Sequence, residues 1–387
     1  MNDFIYYTPT KVYFGRGCEN GVGKAVKEQG AKKVLVHFGG GSVRRSGLLG
    51  RLEASLGKEG IAYVELGGVE PNPKIGLIRE GIALCKKEGV DFILAVGGGS
   101  VIDSAKSIGL GLAHGCDDPW EMISTQTMPT AGFPVGVVLT IAAAGSEMSN
   151  SHVVTNPDGN WKRPLNHDWL RPVFAFENPE LTYTVSKYQT GCGIVDIMMH
   201  TLERYCVPGE DNELTDRISE GLLTAVKNAG EVAVEKPDDY EARATLMWAS
   251  SVSHNGLTGC GKLTTFPAHK IEHEVSGMFD KVSHGAGLAV IFPAWAKFVY
   301  KKDVRKFAQL AVRVFGVDMD FDHPEETARR GIESMIAYFR RIGMPTTIGE
   351  LGVSPDAFEE MARKCAPLAS YCELGVEEIV EIFKLAL

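Results

Sequence analysis

Ala95-Val96-Gly97-Gly98-Gly99-Ser100-Val101-Ile102-Asp103-Ser104-Ala105-Lys106 runs from an apolar strand through three glycines into a helix start. Glycines let backbone N–H groups approach a pyrophosphate, and the N-terminal end of the following helix adds partial positive charge. Three glycines after a strand also make a plain tight turn, and the spacing is not the G-x-G-x-x-G fingerprint. The same five letters occur once earlier, as Gly39-Gly40-Gly41-Ser42-Val43, again behind a β-rich run. Turns of this kind sit at the carboxyl ends of strands, where open α/β sheets bind ligands.

Outward from these turns, β-rich runs at residues 12–15, 33–38, 62–66, 92–96 and 134–141 alternate with stretches of helical character. Such alternation favours a parallel sheet covered on both faces. After about Ser186 the alternation fades. Helices are expected at residues 211–235, 240–257, 325–342 and 376–387, and Ser354-Pro355 reads as an N-cap with proline at the first helical position. The chain of 387 residues, 44% hydrophobic and 23% charged, is long enough for two domains with buried cores. The expected fold is a Rossmann-like α/β dinucleotide-binding domain over residues 1–185 and an all-helical domain over residues 186–387, with no Pro-, Gly- or Ser-rich linker between them.

A formal charge of −9 leaves no basic footprint for nucleic acid, and no polybasic cluster seeks an anionic membrane. No apolar run is long enough to span a bilayer, and Met1-Asn2-Asp3 lacks the basic-then-apolar pattern of a signal peptide, so the cytoplasm is the expected location. The eight cysteines include no C-x-x-C pair and read as mostly buried thiols rather than as a zinc ribbon or disulfide framework. A small molecule is the expected partner.

The earlier turn, His37-Phe38-Gly39-Gly40-Gly41-Ser42-Val43-Arg44-Arg45, has no carboxylate at its strand end to grip an adenosine ribose 2′-hydroxyl. Small residues, a hydroxyl and two arginines can instead accept a 2′-phosphate, which favours NADP over NAD. Arg44 and Arg45 read equally as an exposed, solvated pair. Asp103 reads either as a ribose contact or as a first-turn acid stabilising the helix dipole.

Asp196 and His200 lie four residues apart in an apolar, proline-free stretch, which puts both on one face of a helix. Downstream, His269 and His273 are again one turn apart, and His284 follows in Ser283-His284-Gly285-Ala286-Gly287. A carboxylate with several imidazoles suits one Fe(II) or Zn(II) per chain and leaves coordination room for a substrate oxygen. A single i, i+4 pair is commonly coincidence; two segments together make a constellation. His254 belongs to neither segment, and His37, His114, His152, His167 and His323 are isolated and read as ordinary histidines.

With these residues assembled, the chain resembles the iron-containing alcohol dehydrogenase family, in particular its butanol dehydrogenase-like and NADP-dependent aldehyde reductase branch, over nearly its whole length. The resemblance rests on Gly97-Gly98-Gly99-Ser100-x-x-Asp103-x-x-Lys106, on Thr140 through Ala144-Gly145-Ser146-Glu147, on Asp196-x-x-x-His200, and on His269-x-x-x-His273 followed by His284-Gly285. It implies that Asp196, His200, His269 and His284 hold the metal and that His273 relays protons beside the nicotinamide. It also implies that Thr140, Ser149, Lys162 and Leu181 line the cofactor site with Gly39, Gly40, Gly41, Ser42, Gly97, Gly98, Gly99, Ser100 and Asp103, and that the protein is a homodimer. The Gly39-Gly40-Gly41-Ser42 turn is similar to that of branch members in which glycines meet the adenosine 2′-position. One departure is Thr265-Phe266-Pro267, where relatives often carry Asp-Trp.

The implied chemistry is reversible hydride transfer between NADP(H) and a primary alcohol or aldehyde such as butanol or butanal, with the metal as Lewis acid. One carboxylate and three neutral imidazoles around a divalent ion give a local formal charge of about +1, which favours a developing alkoxide. The nearest competitor resembles the dehydroquinate synthases, which recycle bound NAD; Asp196 stands where that group carries glutamate, and no Lys/Arg cluster lies near the metal motifs. A non-catalytic sensor of metal and nucleotide is the other alternative.

Overall fold

Val34 to Val36 and Phe92 to Val96 are apolar without interruption and fully buried, the pattern of strands covered on both faces. They form the middle of a sheet in the computed structural model, which describes residues 1–209 and 212–387. One compact unit spans Tyr7–Thr184; the other comprises Val185–Leu387 together with Met1–Tyr6.

The first unit runs β1 (Lys11–Phe14), α1 (Val22–Glu28), β2 (Lys33–Gly39), α2 (Ser42–Arg45), α3 (Leu48–Lys58), β3 (Ala62–Val69), α4 (Ile75–Glu88), β4 (Phe92–Gly97), α5 (Gly99–Ala113), α6 (Trp120–Ser124), β5 (Val135–Leu139), β6 (Ser151–Asn156), β7 (Trp161–Asn166) and β8 (Phe174–Glu177). Its six-stranded sheet has the order β1-β8-β5-β4-β2-β3, and every pair is parallel. From β2 the chain builds outward to β3 on one side; from β4 it builds to β5 and β8 on the other. The order therefore reverses between β2 and β4, whose carboxyl ends carry the two glycine turns side by side, the place where doubly wound sheets bind ligands.

Residues 1–6, expected in the α/β domain, group with the helical unit instead, and two features of the strands also depart from the expectation. β6 and β7 form a separate antiparallel hairpin, and β8 lies inside the sheet between β1 and β5. Neither announces itself: the hairpin is polar, with Pro164 opposite Val153, and β8 is only four residues long.

The second unit is helical: α7 (Lys187–Tyr205), α8 (Glu213–Glu235), α9 (Tyr240–His254), α10 (Pro267–Met278), α11 (His284–Val299), α12 (Val304–Phe315), α13 (Pro324–Arg341), α14 (Phe358–Cys365) and α15 (Val376–Leu385). The expected start at Asp211 lies outside the described residues; within them α8 begins at Glu213, where the Asn212 side chain accepts from the Thr215 N–H. Ser354 does cap, with Pro355 first, but it opens a short 3₁₀ turn leading into α14. α7 is capped by Ser186 and buried on all sides from Thr190 to Tyr205, so it is the core helix of this unit. The cysteines are less hidden than composition implied: three are buried, five are partly exposed, and all eight are free thiols. Among the described residues no helix is long and apolar enough to cross a membrane.

Candidate metal centre and cofactor loop

A helix buried all round cannot leave polar side chains unpaired without a cost of several kcal/mol (~2–7) for each. α7 nevertheless carries Asp196, His200, Glu203 and Arg204, all buried. Asp196 and His200 project toward α10 and α11, where His269 and His284 meet them. Asp196 Oδ1 lies 3.4 Å from His200 Nδ1, 3.8 Å from His269 Nε2 and 3.9 Å from His284 Nε2. Metal bonds of about 2.0–2.2 Å set neighbouring donor atoms roughly 3–4 Å apart, so this spacing fits one divalent ion. Asp196 Oδ1, His200 Nδ1 and His269 Nε2 are buried and have no hydrogen-bond partner among the described residues. Three convergent orphan donors of this chemistry fit a cation such as Fe(II) or Zn(II). Of the four residues expected to be ligands, Asp196, His200 and His269 offer donor atoms all within 4.8 Å of one another, and His284 Nε2 approaches them through Asp196 Oδ1.

Two glycines make the approach possible. A Cβ on Gly285 would stand 2.1 Å from the Cys192 carbonyl oxygen, so α11 packs against α7 closely enough to present His284 only because residue 285 has no side chain. A Cβ on Gly287 would stand 2.7 Å from Glu272 Oε1. Glu272 needs that space, because its Oε2 accepts a hydrogen bond from Nδ1 of His284.

Glu203 does the same for His269, whose Nδ1 is bonded to Glu203 Oε2. Both carboxylates have fully buried side chains. Sequence reading passed over them. The available signal was a buried face: Glu203 follows His200 by three residues, Glu272 follows His269 by three, and acids there require partners. They also correct the charge count. The centre holds three carboxylates, Asp196, Glu203 and Glu272, rather than one, so the figure of about +1 is incomplete, and the outer pair makes the ligand imidazoles more basic. Burial alone would lower the His269 pKa, but the charges of Glu203 and Asp196 together outweigh it and hold the imidazole up at about 9. A metal must displace that proton.

His273 is buried, with its ring 5.5 Å from that of His284; with Glu272 these two form a second group of potential donor atoms beside the first. His254, which the sequence reading set aside, packs its ring 3.9 Å from that of His200 at 44°. Phe266 forms the adjoining wall. It sits edge-on to His269 at 5.2 Å, beneath the Arg204 guanidinium at 4.7 Å, and in the left-handed region at φ 53°, unusual for a bulky residue. Nothing in an i, i+4 spacing points to His254; it is brought in by α9 packing on α7.

In the α/β unit, α5 opens directly from the second turn, with Gly98 at the N-cap and no side-chain cap, which leaves first-turn N–H groups for a ligand. Thr140 N–H is bonded to the Gly97 carbonyl at 3.0 Å, so Thr140 adjoins the turn. Asp103 does not present a free carboxylate: Oδ1 accepts from Ser146 at 2.6 Å and Oδ2 from the Val153 N–H at 3.0 Å. Lys106, fully buried, donates to Ser146 Oγ, Ser149 O and Ser151 O at 2.8–3.0 Å. The Asp-x-x-Lys part of the motif therefore braces the segment from Ser146 to Val153 behind the turn, and Ser149 is part of that brace. Burial draws the Lys106 ammonium down to about 8 although Asp103 and Glu147 oppose it. Burial raises the Asp103 pKa, against the nearby charge of Lys162, which is buried on β7; Leu181 packs against the hydrophobic core of this unit. At the first turn Arg44 is ion-paired with Glu65 and stacked on Phe38 at 4.9 Å, so of the two arginines it is the committed one.

Two family models match the chain: one described as iron-containing alcohol dehydrogenase over residues 9–179, and one as its C-terminal part over residues 190–387. The chain is 40% identical to NADH-dependent butanol dehydrogenase A of Clostridium acetobutylicum over 390 residues, 99% of each chain. It is 32% identical to the NADPH-dependent aldehyde reductase YqhD of Escherichia coli over 369 residues, 94% of this chain and 93% of that one. Among solved structures, NADH-dependent butanol dehydrogenase A of Thermotoga maritima superimposes with a TM-score of 0.95 at 35% identity, covering 100% of this chain and 99% of that one.

Proposed function

The chain belongs to the iron-containing alcohol dehydrogenase family and is an NAD(P)-linked alcohol dehydrogenase or aldehyde reductase; on that premise we propose that it interconverts a primary alcohol and its aldehyde, of the butanol and butanal kind, at the Asp196, His200, His269 and His284 centre. The observation that carries the site is the convergence of buried, hydrogen-bond-free donor atoms on Asp196 Oδ1. A divalent ion held there supplies Lewis acidity toward the substrate oxygen. The side chains of Asp196, His200 and His269 are at most 7% exposed, whereas that of His284 is 25% exposed, so substrate oxygen approaches on the His284 side. His273, next to His284, receives or returns the hydroxyl proton. The glycine turns and the α5 N-terminus bind the cofactor diphosphate through backbone N–H groups, with Gly39, Gly40, Gly41, Ser42, Gly97, Gly98, Gly99, Ser100 and Thr140 lining it; Asp103, Ser149 and Lys162 support them, and Leu181 closes the lining.

The absence of a carboxylate at Gly39 supports a preference for NADP(H), against the NADH in the names of the butanol dehydrogenases. We further propose a homodimer, supported by β1, a sheet edge with Phe14 exposed.

The test is butanal-dependent oxidation of NADPH and of NADH by metal-stripped protein and by protein reloaded with Fe(II) or Zn(II). Activity should appear only on reloading and be greater with NADPH. Metal-independent activity would defeat the centre, and equal or better use of NADH would defeat the cofactor preference.

A further inference from the structure

Helix α10 begins with proline at its first position but without a side-chain cap of its own. Its N-cap residue, Phe266, offers no hydrogen-bonding side chain, stands at φ 53°, ψ 51°, and is followed by Pro267, which has no N–H. The next two N–H groups, of Ala268 and His269, would be buried orphans. Both are taken by Glu203 from α7: Oε1 accepts from Ala268 N at 2.7 Å, and Oε2 from His269 N at 3.1 Å. The same Oε2 accepts from Nδ1 of the His269 ring. One buried carboxylate thus accepts three hydrogen bonds, two from the N–H groups that start the helix and one that orients its first histidine.

We infer that Glu203 is a positioning residue of the metal centre, which caps α10 from outside the helix and fixes His269 in the tautomer that presents a bare Nε2 to the metal. The inference rests on the metal-centre reading above and adds to it a residue that does not touch the ion. An imidazole carries one proton when neutral, so a carboxylate, which only accepts, compels that proton onto Nδ1 and leaves Nε2 as the donor atom. An amide in its place cannot serve all three donors. With its oxygen toward Ala268, its NH₂ faces Nδ1 and drives the ring proton to Nε2; turned over, its NH₂ opposes the Ala268 N–H.

Zn(II) affinity of the full-length protein, measured by competition with a chromophoric chelator, tests this in the wild type, Glu203→Gln and Glu203→Ala. Both variants should bind Zn(II) about 10- to 100-fold more weakly than the wild type. The thermal midpoint of metal-free protein should fall less in Glu203→Gln, which keeps at least one cap, than in Glu203→Ala, which keeps none. Unchanged Zn(II) affinity in folded Glu203→Gln overturns the inference and leaves the centre standing; a wild type that binds no Zn(II) overturns both. A second measurement needs no altered glutamate: histidine-selective ¹⁵N spectra of the zinc-loaded wild type, with His269 assigned by its substitution. A protonated Nδ1 and metal-bound Nε2 support the inference. The opposite arrangement refutes it.

Discussion

At the residue level the centre separates ligands from their neighbours by which atoms are left without partners. His269 has one nitrogen on Glu203 and the other on no described group, so it has a metal-facing atom and no alternative use for it. His269→Ala should therefore abolish metal retention while dinucleotide binding by the α/β unit, followed by cofactor fluorescence, is unchanged; normal metal stoichiometry would remove His269 from the ligand set. His273 is 6.5 Å from His269, ring to ring, and does not share in the convergence on Asp196. His273→Ala should keep full metal content and lose turnover by about 10²–10⁴-fold, the usual worth of a general acid–base. Loss of metal instead would make it a ligand. Gly287 acts through space alone: a methyl group there would crowd Glu272 Oε1 and Cγ, at 2.7 and 2.8 Å, and push the carboxylate off His284. Gly287→Ala should weaken metal retention toward chelator while the helix itself gains propensity, so a variant with wild-type retention would show that Glu272 can give way.

At the level of elements, what was legible in the sequence was what depends on near neighbours. β2 and β4 are β-rich runs ending in glycine turns, and α7 and α10 each carry a pair of candidate site residues one turn apart, Asp196 with His200 and His269 with His273; these patterns are local. His254 was invisible because its role depends on which helix packs against which, Glu203 and Glu272 were signalled only by their places three residues after His200 and His269, and β8 was hidden because four residues gain strand character only from the flanking β1 and β5. α5 illustrates the same dependence. Ser104 donates to His37 Nε2 from β2 at 2.9 Å, while His152 Nδ1 from β6 donates to Ser107 at 2.6 Å, so two isolated histidines of the sequence clamp one helix between strands. Burial draws His37 down to about 4 and, helped by the Lys106 charge, His152 to about 3. Below the ordinary histidine value of about 6.5 the unfolded chain takes up two protons that the folded chain refuses, so this stability is fully present above that pH and is lost as pH falls toward 4. Each histidine costs about 1.4 kcal/mol per pH unit in that window. Urea unfolding of the α/β unit between pH 6.5 and 4.5 should show that slope, and His37→Asn should reduce it by about one proton. An unchanged slope would mean that His37 titrates alike in both states.

Over the whole molecule, the family match extends through both units, yet the proposed sites give each unit its own ligand. The proposed metal donors lie on α7, α10 and α11, all in the helical unit; the glycine turns and α5 are all in the α/β unit. A ligand that binds only folded protein stabilises it by RT ln(1 + [L]/Kd), about 2.7 kcal/mol at one hundred times Kd. Hydrogen exchange resolves where that energy is spent, because opening reactions are regional. Zn(II) should slow exchange most in peptides covering α7, α10 and the start of α11, since those segments are tied through Asp196, His200, His269 and His284. NADPH should slow it most in peptides covering β2 with α2 and β4 with α5. Stripping the metal should reverse only the first set. Protection by Zn(II) confined to segments outside the helical unit would place the ion elsewhere and undo the ligand assignment. Protection by NADPH that spared both glycine turns would undo the cofactor assignment.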